Sequence, residues 1–138
     1  FRAPASEEVA RFVGVETIVT GLVLARDHGV TVVDVAGHKL EVAAAGRPGD
    51  LVRLGIRPED ITLMPPTDDV LLSSARNRLR GTIARLVPST PGTRVVVDVG
   101  FPLVATVTTR SVQDLGLAEG VPITAVFKAS APHLIGPA

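Results

Sequence analysis

The sequence predicts an all-β chain built as two small barrels in tandem, with only short helices. Three observations carry this expectation. Val dominates the apolar residues, and 13 Gly and 11 Pro cut the 138 residues into short segments. β-Branched runs bounded by turn residues are strand signatures, whereas helical patterns here are few and short. Finally, the second half of the chain echoes the first.

Taken in order, Ser6 caps a predicted helix over Glu7 to Phe12, its two Glu residues at the positive end of the helix dipole. Strands are predicted at Val30 to Val35, at Lys39 to Ala43 with Leu40 and Val42 on one face, and at Leu51 to Ile56. Two more follow at Arg94 to Val99 and Leu103 to Thr109. Ser111 caps a second short helix over Val112 to Leu115, which Gly116 stops.

The repeat links Gly21-Leu22-Val23 with Gly81-Thr82-Ile83, Val32 to Gly37 with Val96 to Gly100, and Gly49 to Arg57 with Gly120 to Lys128. The offset grows from 81 − 21 = 60 to 97 − 33 = 64 to 120 − 49 = 71, the last step falling where the second copy gains the helix. The halves are residues 1–66 and 72–138, with 67–71 as linker. Pro65-Pro66 followed by Asp68-Asp69 is linker composition. Copies of roughly sixty residues are marginal alone, so they are expected to pack together or dimerise. Short strands with regular turns point to Greek-key barrels of the OB type.

Composition removes several functions. Fourteen basic residues balance fourteen acidic ones, and aromatics are 3% with no Trp or Tyr. Neither the basic excess nor the stacking platform of a nucleic-acid binder is present. Cys is absent, which removes disulfides, thiolate metal sites and Cys nucleophiles. No run approaches the roughly 18 apolar residues of a membrane span. His28, His38 and His133 lack ligand spacing, so no metal site is expected. No G-x-x-x-x-G-K loop occurs, so no ATP hydrolysis is expected of this segment. Gly14, Gly29 and Gly37 read as turn residues, and Phe12, Phe101 and Phe127 as core. The chain begins at Phe1 without Met or signal-peptide features and reads as part of something larger.

The chemistry concentrates in the second half. Residues 1–66 hold seven basic and nine acidic residues (net −2), and residues 67–138 hold seven and five (net +2). In Ser74-Ala75-Arg76-Asn77-Arg78-Leu79-Arg80, a strand would place the three Arg on one face and Asn77 and Leu79 on the other. A solvated basic edge that blocks strand addition explains such a run equally well, and Arg78 and Arg80 read best as surface or dimer-contact charges. Lys128-Ala129-Ser130 follows an apolar strand, and Thr108 to Ser111 opens the helix, where the hydroxyls either cap or meet a ligand. Donors without an acidic partner suit a tetrahedral dianion. The first copy has Arg57-Pro58-Glu59 in place of Lys128-Ala129-Ser130, losing one amide and gaining one negative charge, and it has no Ser-Ala-Arg-Asn before Gly21. Only the second copy is therefore expected to bind.

Ser74-Ala75-Arg76-Asn77, Thr108…Ser111 leading to Gly116-Leu117, and Phe127-Lys128-Ala129-Ser130 resemble the signature of molybdate-binding MOP (molbindin) domains across about residues 72–135. Ser73 stands where many relatives have Thr, and Thr109-Arg110 fills a spacer that often holds an acid. Val9 to Gly14 and Gly55 to Ile61 resemble the TOBE domain of ABC-importer ATPase subunits. The whole is similar to the C-terminal regulatory region of a molybdate/tungstate importer ATPase, with residues 1–13 as the tail of the preceding ATPase domain.

The resemblance implies a cytoplasmic domain at the inner face of the membrane, with no cofactor of its own and molybdate or tungstate as ligand. Ser74 and Arg76 from one unit and Thr108, Ser111, Lys128 and Ser130 from another would hold the anion. The partners implied are a second copy of the domain, as a homodimer, the ATPase domain and the membrane subunits. Bound oxyanion would hold the ATPase subunits in a non-productive arrangement, a feedback termed trans-inhibition. The alternative is a structural dimerisation module with no small-ligand role.

Overall fold

The computed structural model describes residues 10–13, 16–67, 72–90 and 92–138. The first half contributes β1 (Ala10–Val13), β2 (Glu16–Asp27), β3 (Val30–Val35), β4 (His38–Val42), β5 (Leu51–Ile56), a 3-10 turn (Pro58–Asp60) and β6 (Thr62–Met64). The second contributes β7 (Asn77–Pro88), β8 (Thr93–Asp98), β9 (Pro102–Val107), helix α1 (Thr109–Leu115), β10 (Pro122–Phe127) and β11 (His133–Pro137). The all-β expectation holds. The chain forms two curled antiparallel sheets, ordered β11-β5-β2-β3-β4 with β1 also on β2, and β6-β10-β7-β8-β9.

The sheets repeat residue for residue. Leu22 pairs with Asp34 as Thr82 pairs with Asp98, and Gly21 faces Val52 as Gly81 faces Ile123. The offsets are 82 − 22 = 60, 98 − 34 = 64 and 123 − 52 = 71. The last step, 71 − 64 = 7, equals the seven residues of α1. Each long strand carries a bulge just after its glycine, between Val23 and Ala25 and between Ile83 and Arg85. The first copy turns tightly at His28-Gly29 and Ala36-Gly37, where all four residues have positive φ. That geometry matches the twist of the flanking strands.

The sheets exchange their terminal strands across the sequence boundary. β6, from the first half, pairs with β10; β11, from the second half, pairs with β5. A single apolar core runs through both sheets, with Val33, Leu40, Leu54 and Ile56 from one and Val97, Leu103, Ile123 and Phe127 from the other. Two further side chains, related by the repeat, bond across the boundary. The Asn77 side chain brackets the backbone of Glu41, and Thr17 Oγ1 accepts from Val104 N at 3.2 Å. Asn77 lies 77 − 17 = 60 residues after Thr17, the offset that relates β2 to β7.

Two helix expectations are corrected. The helix over Glu7 to Phe12 is not formed at Ala10–Val13, which is a strand paired with Glu16 to Val19 of β2. A backbone ladder outweighs the few tenths to about 1 kcal/mol that two acids gain at a helix start. Residues 1–9 and the side chain of Phe12 lie outside the described residues, as do Asp68 and Asp69; Phe101 and Phe127 are buried. The second helix starts at Thr109 and is capped by Thr108, not Ser111. Its predicted stop holds, with Gly116 in the left-handed region at φ 62°.

Candidate functional site

The basic run enters β7 as its period demands, with Asn77 and Leu79 buried and Arg76 and Arg80 exposed. Asn77 is anchored in the other copy: Nδ2 donates to Glu41 O at 2.9 Å, and Oδ1 accepts from Glu41 N at 2.8 Å. One residue earlier, Arg76 lies along the Glu41 carboxylate, Nε to Oε1 at 3.3 Å and Nη2 to Oε2 at 3.4 Å. Ser73 Oγ accepts from Ala75 N at 3.1 Å, shaping the approach to the strand.

At the end of β10, Phe127 is buried and the chain turns, with Ala131 N donating to Lys128 O at 3.0 Å. Ala129 O accepts from Ala43 N at 2.8 Å, which ties this turn to the first copy. Lys128 and Ser130 stay exposed. Beside them lies a recess of about 370 Å³ lined by Asp60, Thr62, Ala75, Lys128, Ser130 and apolar neighbours that include Val126 and Phe127. A second recess of about 340 Å³ holds His38, Lys39, Ser73, Ala75, Arg76 and Asn77. Ala75 lines both, so the 73–77 segment stands between them.

The fold therefore gathers Lys128, Ser130 and the Ser-Ala-Arg-Asn segment within one chain. Arg76 opens on the second recess and is engaged by Glu41, and exposed Ser74 is not among the lining residues of either. Thr108 and Ser111 are not among them. Thr108 Oγ1 accepts from Ser111 N at 3.0 Å and donates to Ser111 Oγ at 3.0 Å, the arrangement of a helix cap. Asp60 and Thr62 were missed by the sequence reading, and Asp60 corrects the expectation of a recess lined by donors alone. They belong to the first half, Thr62 on the exchanged strand and Asp60 on the 3-10 turn that leads into it. Pairing that crosses sequence halves leaves no local signal.

In the first copy the equivalent place is closed. The offset of 60 makes Glu16 the counterpart of Arg76, and that of 71 makes Gly55 and His133 those of Val126 and, inversely, Thr62. Glu16 Oε1 meets His133 Nε2 at 3.0 Å. The pair sits over Gly55, where a Cβ would come within 2.7 Å of Glu16 Oε1 and 2.9 Å of the His133 ring. Among the described residues no helix is long and apolar enough to cross a membrane, and no cluster of His, Asp and Glu could hold a metal ion.

Two OB-like units with exchanged strands, and a recess between them flanked by Lys and hydroxyls, define a tandem domain of the TOBE/MOP class. Residues 73–134 match the TOBE domain model. It is 34% identical over 138 aligned positions to the molybdate/tungstate import ATP-binding protein WtpC of Pyrococcus horikoshii, covering 97% of this chain and 36% of that protein. It is 34% identical over 116 positions to the molybdenum-pterin-binding protein MopA of Rhodobacter capsulatus, covering 83% of this chain and 42% of that one. The chain thus spans well under half the length of these curated relatives. A crystal structure of the cytoplasmic molybdate-binding protein ModG, with molybdate bound, matches with a TM-score of 0.76 and 26% identity, covering 91% of this chain and 99% of that one.

Proposed function

We propose that this chain is the oxyanion-sensing regulatory domain of an ABC-importer ATPase subunit, with molybdate or tungstate as its ligand. The observation that carries the proposal is the recess that Lys128 and Ser130 share with Ala75 of the Ser-Ala-Arg-Asn segment. Similarity to WtpC, MopA and ModG supports the choice of ligand. A tetrahedral dianion there takes a charge-assisted bond from Lys128 and a hydroxyl bond from Ser130. Arg76 joins when the anion displaces Glu41. Ser74 and the Thr108–Ser111 turn serve the site from a second copy of the domain, in a homodimer. Sulfate carries the same charge on shorter bonds, so recess size selects against it. A complete site yields micromolar affinity or better, about −8 kcal/mol.

Feedback follows by linkage. A ligand shifts a two-state equilibrium only by its differential affinity for the two states. A site completed between copies exists only in the docked arrangement, so anion binding favours that arrangement. In the cytoplasm the docked state holds the ATPase domains and membrane subunits of the importer in a non-productive form. Lys128→Ala is expected to abolish measurable tungstate binding by calorimetry while the β-sheet circular dichroism stays unchanged; unaltered affinity would sink the assignment.

A second reading, a dimerisation scaffold without ligand, is favoured by the internal satisfaction of Arg76, Thr108 and Ser111. Thermal shift separates the two. A sensor gains stability from tungstate more than from sulfate, and a scaffold responds to neither.

A further inference from the structure

The oxyanion recess has one wall that comes from the other half of the chain. Thr62 on β6 pairs with Val126 on β10, and Val126 pairs in turn with Arg78 on β7. Directly opposed residues share a face of the sheet. Asp60 lies two residues before Thr62, in the 3-10 turn, and Lys128 directly follows β10. Arg76, just before β7, opens on the neighbouring recess instead. Asp60, Thr62 and Lys128 all line the recess. Asp60 and Lys128 are exposed, and no ion pair joins them among the described residues.

We propose that Thr62 on the exchanged strand and Asp60 on the 3-10 turn before it set the oxyanion affinity of this recess: Thr62 as a hydroxyl donor, Asp60 as a fixed negative charge that weakens binding of a dianion. The inference rests on the oxyanion reading of the same recess. Without a ligand, the charges of Lys128 and Asp60 cancel, and Arg76 is answered by Glu41. An entering dianion meets a recess that is neutral rather than positive. Asp60 thereby sets the concentration at which the site fills, and the first half of the chain tunes the second.

The test is calorimetric titration of the chain with sodium tungstate, at low and at raised ionic strength, on the wild type, Asp60→Asn, Thr62→Val and Lys128→Ala. Asp60→Asn is expected to tighten tungstate binding roughly three- to tenfold at low salt, with a smaller gain at high salt, as for a partly screened charge. Thr62→Val is expected to weaken it by about the factor of a lost hydrogen bond, roughly threefold to tenfold. Thermal melts confirm that each variant folds. If Lys128→Ala loses binding but Asp60→Asn binds no tighter than wild type, this inference falls and the oxyanion reading stands. If neither the wild type nor Asp60→Asn binds tungstate, both fall. Binding by Asp60→Asn alone would support the charge assignment in its strongest form.

Discussion

At the scale of single residues, the clearest division of labour is between Arg76 and its neighbour Asn77. Both belong to the motif read from the sequence as an anion ligand set. Asn77 is 3% exposed and spends its amide on both backbone groups of Glu41, as a neighbouring strand would. Removing it leaves a part-buried N–H and C=O of Glu41 unpaired at the β4 edge. Asn77→Leu should therefore cost about 2–4 kcal/mol in urea unfolding, since each unsatisfied group costs about 1–3 kcal/mol. Thr17→Val strands one buried donor, Val104 N, and should cost about 1–3 kcal/mol, less than the loss of both Glu41 partners. Equal losses would contradict the bracket geometry. The Arg76–Glu41 pair stabilises the fold little, because Arg76 is about half exposed and surface pairs contribute about 0–1 kcal/mol. The motif was legible in sequence, but its split into a structural Asn77 and an adjustable Arg76 was not. Their shared partner lies 77 − 41 = 36 residues earlier, in the other copy.

At the scale of elements, the short valine-rich strands were readable because alternation and turn residues coincide there. β3 and β5 occupy the predicted ranges, Val30–Val35 and Leu51–Ile56. The two 12-residue strands, β2 and β7, were not marked, because each carries a glycine where a strand pattern should be apolar or β-branched. Close approach of the neighbouring strand explains both glycines. A Cβ at Gly81 would lie 2.4 Å from Asp98 O, and one at Gly21 would lie 2.4 Å from Val33 Cγ1 and 2.9 Å from Val35 Cγ2. At Gly21 the buried Val33 and Val35 must shift within the core and Asp34 O lies at 3.1 Å, whereas at Gly81 the clash is with a paired backbone carbonyl itself, which cannot move without loosening its ladder. Gly81→Ala should therefore destabilise by about 2–4 kcal/mol and Gly21→Ala by about 1–2 kcal/mol, measured as shifts in denaturant midpoint. The reverse order would mean that β8 yields more readily than the packed valines of β3.

At the scale of the whole molecule, the internal repeat was plain in the sequence, yet the sheets follow a different partition. The offsets 60, 64 and 71 track the ladders, but nothing in them shows that each copy lends its last strand to the other. β6 and β11 are short and compositionally ordinary, so only the assembled edges of β10 and β5 select between them. This exchange makes the C-terminus part of the N-terminal sheet. Ending the chain after Pro132 would remove the pairing of β11 with Leu54 and Gly55, the Ala138 N bond to Leu51 O, and the His133 partner of Glu16. With one core through both sheets, the shortened chain should still unfold in a single transition, at a lower midpoint. Native-state hydrogen exchange should show protection falling first in β5 and β2, more than fifty residues upstream in sequence terms of the cut, while β8 and β9 hold. Faster exchange confined to residues 72–132 would instead mark two self-contained halves, and an anion recess walled by Asp60 and Thr62 would then have no fixed wall to stand on.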